Sequence, residues 1–122
     1  MMQFADQRSI YLQIADHICD TILAGELSNG ERIASVREMA AQIEVNPNTV
    51  QRSYSFLQEK GILDNKRGIG YFIADDAYQQ VKAIKREQFI QEDVQSLFKN
   101  MELLGIEFSD LQSIYQRHQQ QI

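Results

Sequence analysis

The chain has 122 residues, with 17 acidic against 12 basic side chains and a net charge of −5. That length holds one compact domain, or one domain with a helical appendage, and excludes two full enzyme domains. A hydrophobic fraction of 43% supplies a core and excludes wholesale disorder, while the acidic balance speaks, at first sight, against a nucleic-acid partner.

The opening residues, Met1–Asp6, carry neither a basic n-region nor an apolar h-region, so no signal peptide is expected. No apolar run approaches the length that spans a bilayer, and no membrane partner is expected. The first periodic segment runs from about Ile10 to Ala24: Ile10, Ile14, Ile18 and Ile22 recur every four residues, and Tyr11, Ala15, Cys19 and Leu23 widen the stripe. Ser9 is its expected N-cap and Gly25 its C′ residue. Cys19 lies on the stripe and reads as a small buried hydrophobe. As the single cysteine it closes no intramolecular disulfide, which points to a reducing, cytoplasmic home. His17 and His118 stand on polar helix faces too far apart for a zinc-ligand spacing, so neither a metal nor a cofactor is expected.

After a loop with an Asn29-Gly30 turn signal, Ser35-Val36-Arg37-Glu38 has the form of a capping box. Val36, Met39, Ala40 and Ile43 give the inner face of a short second helix that ends near Glu44. Asn46 is a candidate N-cap for a third helix, with Pro47 at its first position, where the missing N–H removes no bond. This helix runs to about Lys60 and stops at Gly61. Val50, Tyr54 and Leu57 point inward; Asn48, Thr49, Gln51, Arg52, Ser53 and Ser55 are expected outside. Ile62–Asn65 and Tyr71–Ile73 read as two short strands joined by Lys66-Arg67-Gly68-Ile69-Gly70, a hairpin with a basic, glycine-rich tip. Asp75 or Asp76 then caps a long helix from about Ala77 to Leu104, whose later part carries the stripe Ile90, Val94, Leu97, Met101 and Leu104. Gly105 breaks it, Ser109 is the next expected cap, and Leu111, Ile114 and Tyr115 form a last amphipathic helix with a frayed glutamine-rich end.

Helix, short helix, tight turn, helix and two-stranded hairpin is the order of a winged helix-turn-helix. The fold class expected is mostly α: a winged domain over residues 1–74 with a two-stranded wing, then a two-helix dimerisation tail over residues 75–122. In such a module the second helix of the pair offers its N-terminal turn to the major groove, and the first braces across the backbone. Residues there must be short and able to pair with base edges. Asn48 and Gln51 suit adenine, Arg52 suits guanine, and the Thr49 methyl suits a thymine methyl. The positive end of the helix dipole suits a phosphate. The tip Lys66-Arg67-Gly68 suits the neighbouring minor groove, and Arg37 stands in the first turn of the bracing helix, within reach of a phosphate or a base. With Ser35 and Asn46, the helix starts themselves, these residues make up the expected DNA-binding set.

The stretch Ser9–Ala74 resembles the DNA-binding domain of GntR-family bacterial transcription regulators. The resemblance is carried by Ile10-Tyr11-Leu12-Gln13-Ile14, Gly25-Glu26-Leu27, Ser35-Val36-Arg37-Glu38-Met39-Ala40 and Val45-Asn46-Pro47-Asn48-Thr49-Val50 with Arg52 and Tyr54. It continues through Leu57, Glu59-Lys60-Gly61 and Arg67-Gly68-Ile69-Gly70-Tyr71-Phe72. The remainder, with Met101-Glu102-Leu103-Leu104-Gly105-Ile106, resembles the short C-terminal region of the YtrA-like subfamily, which implies a homodimerising tail in place of a full effector-binding domain. The resemblance also implies that Arg37, Asn48, Thr49, Arg52 and the Arg67–Gly68 tip lie at the DNA interface. Ala34 departs from the family, which usually has proline before Ser-x-Arg; the change loosens the approach to the second helix and removes no DNA-contacting group.

Plainer readings stand beside these. Arg37 and Arg52 are also ordinary solvated helix residues, and Tyr11, Tyr54 and Phe56 are ordinary packing aromatics. Gly68-Ile69-Gly70 leads into a strand and not a helix, so it is no nucleotide cradle. No Ser/His/Asp or Cys/His arrangement is visible, and an enzyme is not expected. The stripe Ile90–Leu104 either packs back on the winged domain or meets a copy of itself; the second alternative places two recognition helices on a two-fold operator. Residues 1–74 hold seven basic and nine acidic side chains, residues 75–122 five and eight, yet no acid occurs from Pro47 to Gln58. Since DNA is read by a local face, the expected function is a sequence-specific, homodimeric transcription regulator, of repressor type, on double-stranded DNA. A winged-helix protein-interaction module without DNA binding is the alternative, motivated by the acidic balance. No pattern names a small-molecule effector.

Overall fold

A computed structural model describes residues 8–121; the opening Met1–Asp6, read above for a signal sequence, lies outside the described residues. Two compact units divide between Ala83 and Ile84.

In the first unit, α1 (Ile10–Leu23), α2 (Val36–Ile43) and α3 (Pro47–Glu59) precede a hairpin of β1 (Leu63–Lys66) and β2 (Gly70–Ile73), and α4 (Ala77–Gln88) begins. The four-residue repeat of α1 buries Ile14, Ile18 and Ile22 against Val50, Tyr54 and Leu57 of α3, with Ala40 of α2 beside them. Each such aliphatic side chain stabilises the fold by about 1.5–3 kcal/mol when fully buried. Leu63 and Ile73, paired across the hairpin, close one side of this core. Ala77 and Val81 enter it too, which is why residues 75–83, grouped with the tail in the sequence reading, fall in the first unit.

The local stop and start signals hold in detail. The Ser35 hydroxyl accepts from Glu38 N–H at 3.1 Å while Ser35 N–H donates to Glu38 Oε1 at 2.9 Å, the two halves of the capping box. Asn46 Oδ1 accepts from Asn48 N–H at 2.8 Å.

Other expectations are corrected. Ser9 occupies the N-cap position of α1 but makes no side-chain cap bond. Ser53, expected outside, is fully buried: α1 crosses α3 there, and the serine hydroxyl donates to Tyr11 O at 2.7 Å, satisfying itself inside the core. A third, one-residue strand joins the hairpin, since Arg32 bridges Phe72 while Ile33 N–H donates to Tyr71 O and Ile73 N–H to Glu31 O. Asp76 immediately precedes α4, and its carbonyl accepts from Gln80 N–H at 3.1 Å; the first turn is tied in addition by Asn29, whose Oδ1 accepts from Tyr78 N–H at 2.9 Å.

In the second unit the expected uninterrupted α-helix contains a π-helical segment, Phe89–Val94, before α5 (Gln95–Leu104). The i→i+5 bonding of such a segment widens the turn at Ile90 and Val94. Gly105 ends α5 in the left-handed region. The last helix, α6 (Phe108–Gln120), starts earlier than Ser109 because Asp110 Oδ2 accepts from Glu107 N–H at 3.0 Å. It continues through the glutamines expected to fray, and Gln119 Nε2 donates to Tyr115 Oη. No described residue from Ile84 to Gln121 is buried.

Candidate nucleic-acid interface

The start of α3 forms the centre of the candidate site. Asn48, Gln51 and Arg52 are exposed and Thr49 is half-buried. Pro47 and the Asn46 cap set the helix going here, so the Asn46 side-chain oxygen is engaged with the backbone and not presented outward. Two of the exposed side chains are held by neighbouring elements. Gln51 Nε2 donates to Ser55 Oγ at 3.3 Å and to Tyr71 Oη of β2 at 3.1 Å. Arg52 lies over the Tyr11 ring of α1, its Cζ 3.9 Å from the ring centroid. An open cleft of about 390 Å³ beside it is lined by Ser9, Ile10, Tyr11, Asn48, Thr49 and Arg52.

The first turn of α2 leaves Arg37 exposed, whereas the Ser35 hydroxyl is taken by its cap. Hydrogen bonding with Ser35, first through its backbone N–H and then through its side chain, and after it the nearby charge of Arg32, hold the Glu38 carboxyl below its ordinary value.

At the wing, Lys66, Arg67 and Gly68 are all exposed. Lys66 Nζ sits 4.3 Å from the centroid of the Phe72 ring, so the sheet face tethers this lysine, and Arg67 and Gly68 make the tip. Gly68 turns the chain at φ +78° with open space around it, a left-handed conformation that glycine adopts without strain. Gly70, at φ +141°, has a second constraint: a β-carbon there would lie 3.0 Å from Arg32 Nε. Arg32 therefore crosses the wing beside the predicted residues.

Sequence reasoning missed Arg32, Tyr71 and the supporting role of Tyr11. Arg32 precedes the buried Ile33, and that junction is the one signal that could have marked an edge strand. The predicted seam residues all lie in the second unit. There Ile90, Leu97 and Leu104 are exposed, the last at 72%, and Val94 and Met101 are half-buried. Among the described residues no cluster of His, Cys, Asp and Glu could hold a metal ion, and no helix is long and apolar enough to cross a membrane.

A helical pair with an exposed polar second-helix start, followed by a two-stranded wing, defines a winged helix-turn-helix protein. The sequence profile described as "Bacterial regulatory proteins, gntR family" matches residues 10–73. The chain is 41% identical over 104 residues to the uncharacterized HTH-type transcriptional regulator YhcF of Bacillus subtilis, spanning 85% of this chain and 84% of that protein. It is 33% identical over 102 residues to the HTH-type transcriptional repressor YtrA of the same organism, spanning 84% of this chain and 78% of YtrA. A solved GntR-family chain from Bacteroides thetaiotaomicron superposes with a TM-score of 0.78 at 44% identity, covering 93% of this chain and 98% of that one. The chain belongs to the GntR family of bacterial transcription regulators, which are DNA-binding proteins without enzymatic activity.

Proposed function

We propose that this protein is a homodimeric repressor that reads a two-fold operator through α3 and the wing. The observation that carries the reading is the exposed, acid-free start of α3, Asn48 to Arg52, held between Tyr11 on one side and the wing residue Tyr71 on the other. Asn48, Thr49, Gln51 and Arg52 supply base-edge and phosphate partners in the major groove, and Arg67 with Gly68 supplies the minor-groove tip. Ser35, Arg37, Asn46 and Lys66 border this face. The named activity of YtrA supports the repressor sign, and a home beside the DNA, in the cytoplasm, follows from the reading.

The second unit supports the dimer. A segment with no buried residue among those described cannot hold itself together by its own core, and Ile90, Val94, Leu97, Met101 and Leu104 offer the apolar stripe that a second copy would cover. Two-fold pairing of recognition helices then matches a two-fold operator.

Gel-shift titration of the full chain against DNA upstream of its own gene tests the reading. The expected result is preference for that DNA over a scrambled duplex at moderate salt. Equal binding to both overturns it, and binding to neither favours a winged-helix interaction module without DNA binding, the reading that the net charge of −5 suggests.

A further inference from the structure

A recognition-helix arginine has two uses, bidentate pairing with guanine or contact with a phosphate, and sequence alone favours the first. The geometry points to the second. We propose that Arg52 docks on a phosphodiester of the DNA backbone, and that Tyr11 is the residue that positions it; this rests on the DNA-binding reading above.

The argument starts from the helix. Val50, Ser53, Tyr54 and Leu57 fix the inward side of α3. At 3.6 residues per turn, Asn48, Ser55 and Arg52 then stand within about 30° of the direction opposite the core, Arg52 on the α1 side, while Gln51 lies farther round toward the wing. Gln51 turns toward the wing and Arg52 toward α1. The Tyr11 platform under Arg52 is itself fixed. Its ring meets Phe56 edge-on at 6.1 Å, and its carbonyl oxygen accepts from the buried Ser53 hydroxyl. A guanidinium lying on an aromatic face keeps its in-plane N–H groups free. Here Arg52 borders the cleft whose other polar side chains include Ser9, Asn48 and Thr49, and among the described residues no carboxylate lines it. Neutral donors and one fixed cation, without an acid, suit an anion. Anchored over Tyr11, Arg52 is held on the α1 side of the recognition helix, beside the open cleft, and a side chain so held is suited to the phosphate backbone that borders a groove more than to a base edge within it. Tyr11 thus acts through Arg52, and its ring is what this role requires; the hydroxyl is not.

The test uses the full-length protein and duplexes that the wild type enriches from a random pool, with a scrambled duplex beside them. Binding is followed by fluorescence anisotropy over a series of KCl concentrations for wild type, Arg52→Ala, Arg52→Lys, Tyr11→Phe and Tyr11→Leu. Arg52→Ala is expected to weaken binding about tenfold per half-site on both duplexes, to reduce the salt slope of the bound dimer by about two, one for each protomer, and to leave base preferences unchanged. Arg52→Lys should restore the slope. Tyr11→Leu should move affinity and slope in the same direction as Arg52→Ala and add little on top of it, while Tyr11→Phe stays within about twofold of wild type because the ring remains. The bond from Ser53 reaches the Tyr11 main chain and survives each change; Tyr11→Gln serves where leucine lowers the melting temperature. Loss of preference at one base position with an unchanged salt slope would make Arg52 a base reader and overturn the proposal. Wild-type affinity in both Tyr11→Leu and Tyr11→Gln would remove the positioning role. A wild-type chain that enriches no duplex would instead overturn the DNA-binding reading itself.

Discussion

Tyr54→Phe removes one oxygen from the centre of the winged unit and nothing else. Tyr54 is fully buried, its ring meets Tyr71 edge-on at 5.0 Å, and its hydroxyl donates to Ala34 O at 2.6 Å. That bond ties down the segment where this chain has alanine and the family usually has proline. Phenylalanine keeps the ring packing but leaves the Ala34 carbonyl without this donor, a loss of about 1–2 kcal/mol. For a domain of this size that lowers the melting temperature by about 4–16 °C. The same substitution has a pH signature. Burial of the hydroxyl, reinforced by the charge of Glu38 and by Tyr71, raises its pKa well above the ordinary 10.0. Below pH 10 folded and unfolded chains both keep this proton, so the stabilisation is complete. Above it the unfolded chain releases the proton while the folded chain holds it, and stability falls by up to about 1.4 kcal/mol per pH unit from this group. Thermal melts of both proteins at one concentration, from pH 8 to pH 11, therefore have a definite expectation. Wild type is more stable at pH 8, and the difference narrows as pH rises above 10. Equal melting temperatures at pH 8, or parallel curves throughout, would refute both the bond and the buried state of the hydroxyl.

Arg67→Ala should weaken operator binding by about 1–3 kcal/mol without altering the melting temperature; anisotropy titration showing wild-type affinity would take the wing tip away from the DNA. The double substitution Leu97→Lys, Met101→Lys should yield a monomer in sedimentation velocity, and an unchanged dimer would move the interface elsewhere. Ser53→Ala removes the hydroxyl bond that ties α3 to the Tyr11 carbonyl of α1 and should lower stability by about 0.5–1.5 kcal/mol in urea unfolding with an unchanged m-value; no loss would mean that this bond adds nothing to the helical bond the carbonyl already accepts.

What the sequence made legible was whatever is encoded within a few residues. The Ser35–Glu38 box, the Asn46-Pro47 start and the glycine ends of α1, α3 and α5 are each complete in one short stretch. The α1 stripe needs no partner to be recognised. Features created by distant partners were not legible. Asn29 ties the start of α4 from a loop 49 residues away, and no local rule points to it. Ser53 reads as a surface serine until α1 crosses it. Arg32 joins the sheet through a single bridge, too short to show alternation. The same division runs through the candidate site: residue types could be read at Gln51 and Arg52, but their directions are set by Tyr71 and Tyr11.

Those directions bear on how an acidic protein can select DNA. The acids of the first unit include Asp16 and Asp20 on α1 and Glu26 and Glu31 on the loop after it, whereas Pro47 to Gln58 has none. Repulsion from the net charge of −5 acts over a Debye length of about 8 Å at physiological salt, so it slows approach more than it weakens a face already in contact. Each winged unit brings few cations to that face: Arg37, Arg52, Lys66 and Arg67 are exposed there, with Arg32 lying beside the wing at Gly70. Few cations mean few released counterions, hence low affinity for arbitrary sequence and a shallow salt dependence per unit. One such unit would hold an operator weakly. Two, linked by a tail that lacks a core of its own, would engage both half-sites at the high effective concentration that linkage provides. On the proposed dimer the two features complement each other: pairing would cover a tail with no buried residue among those described, and would supply the affinity that one sparsely charged face lacks.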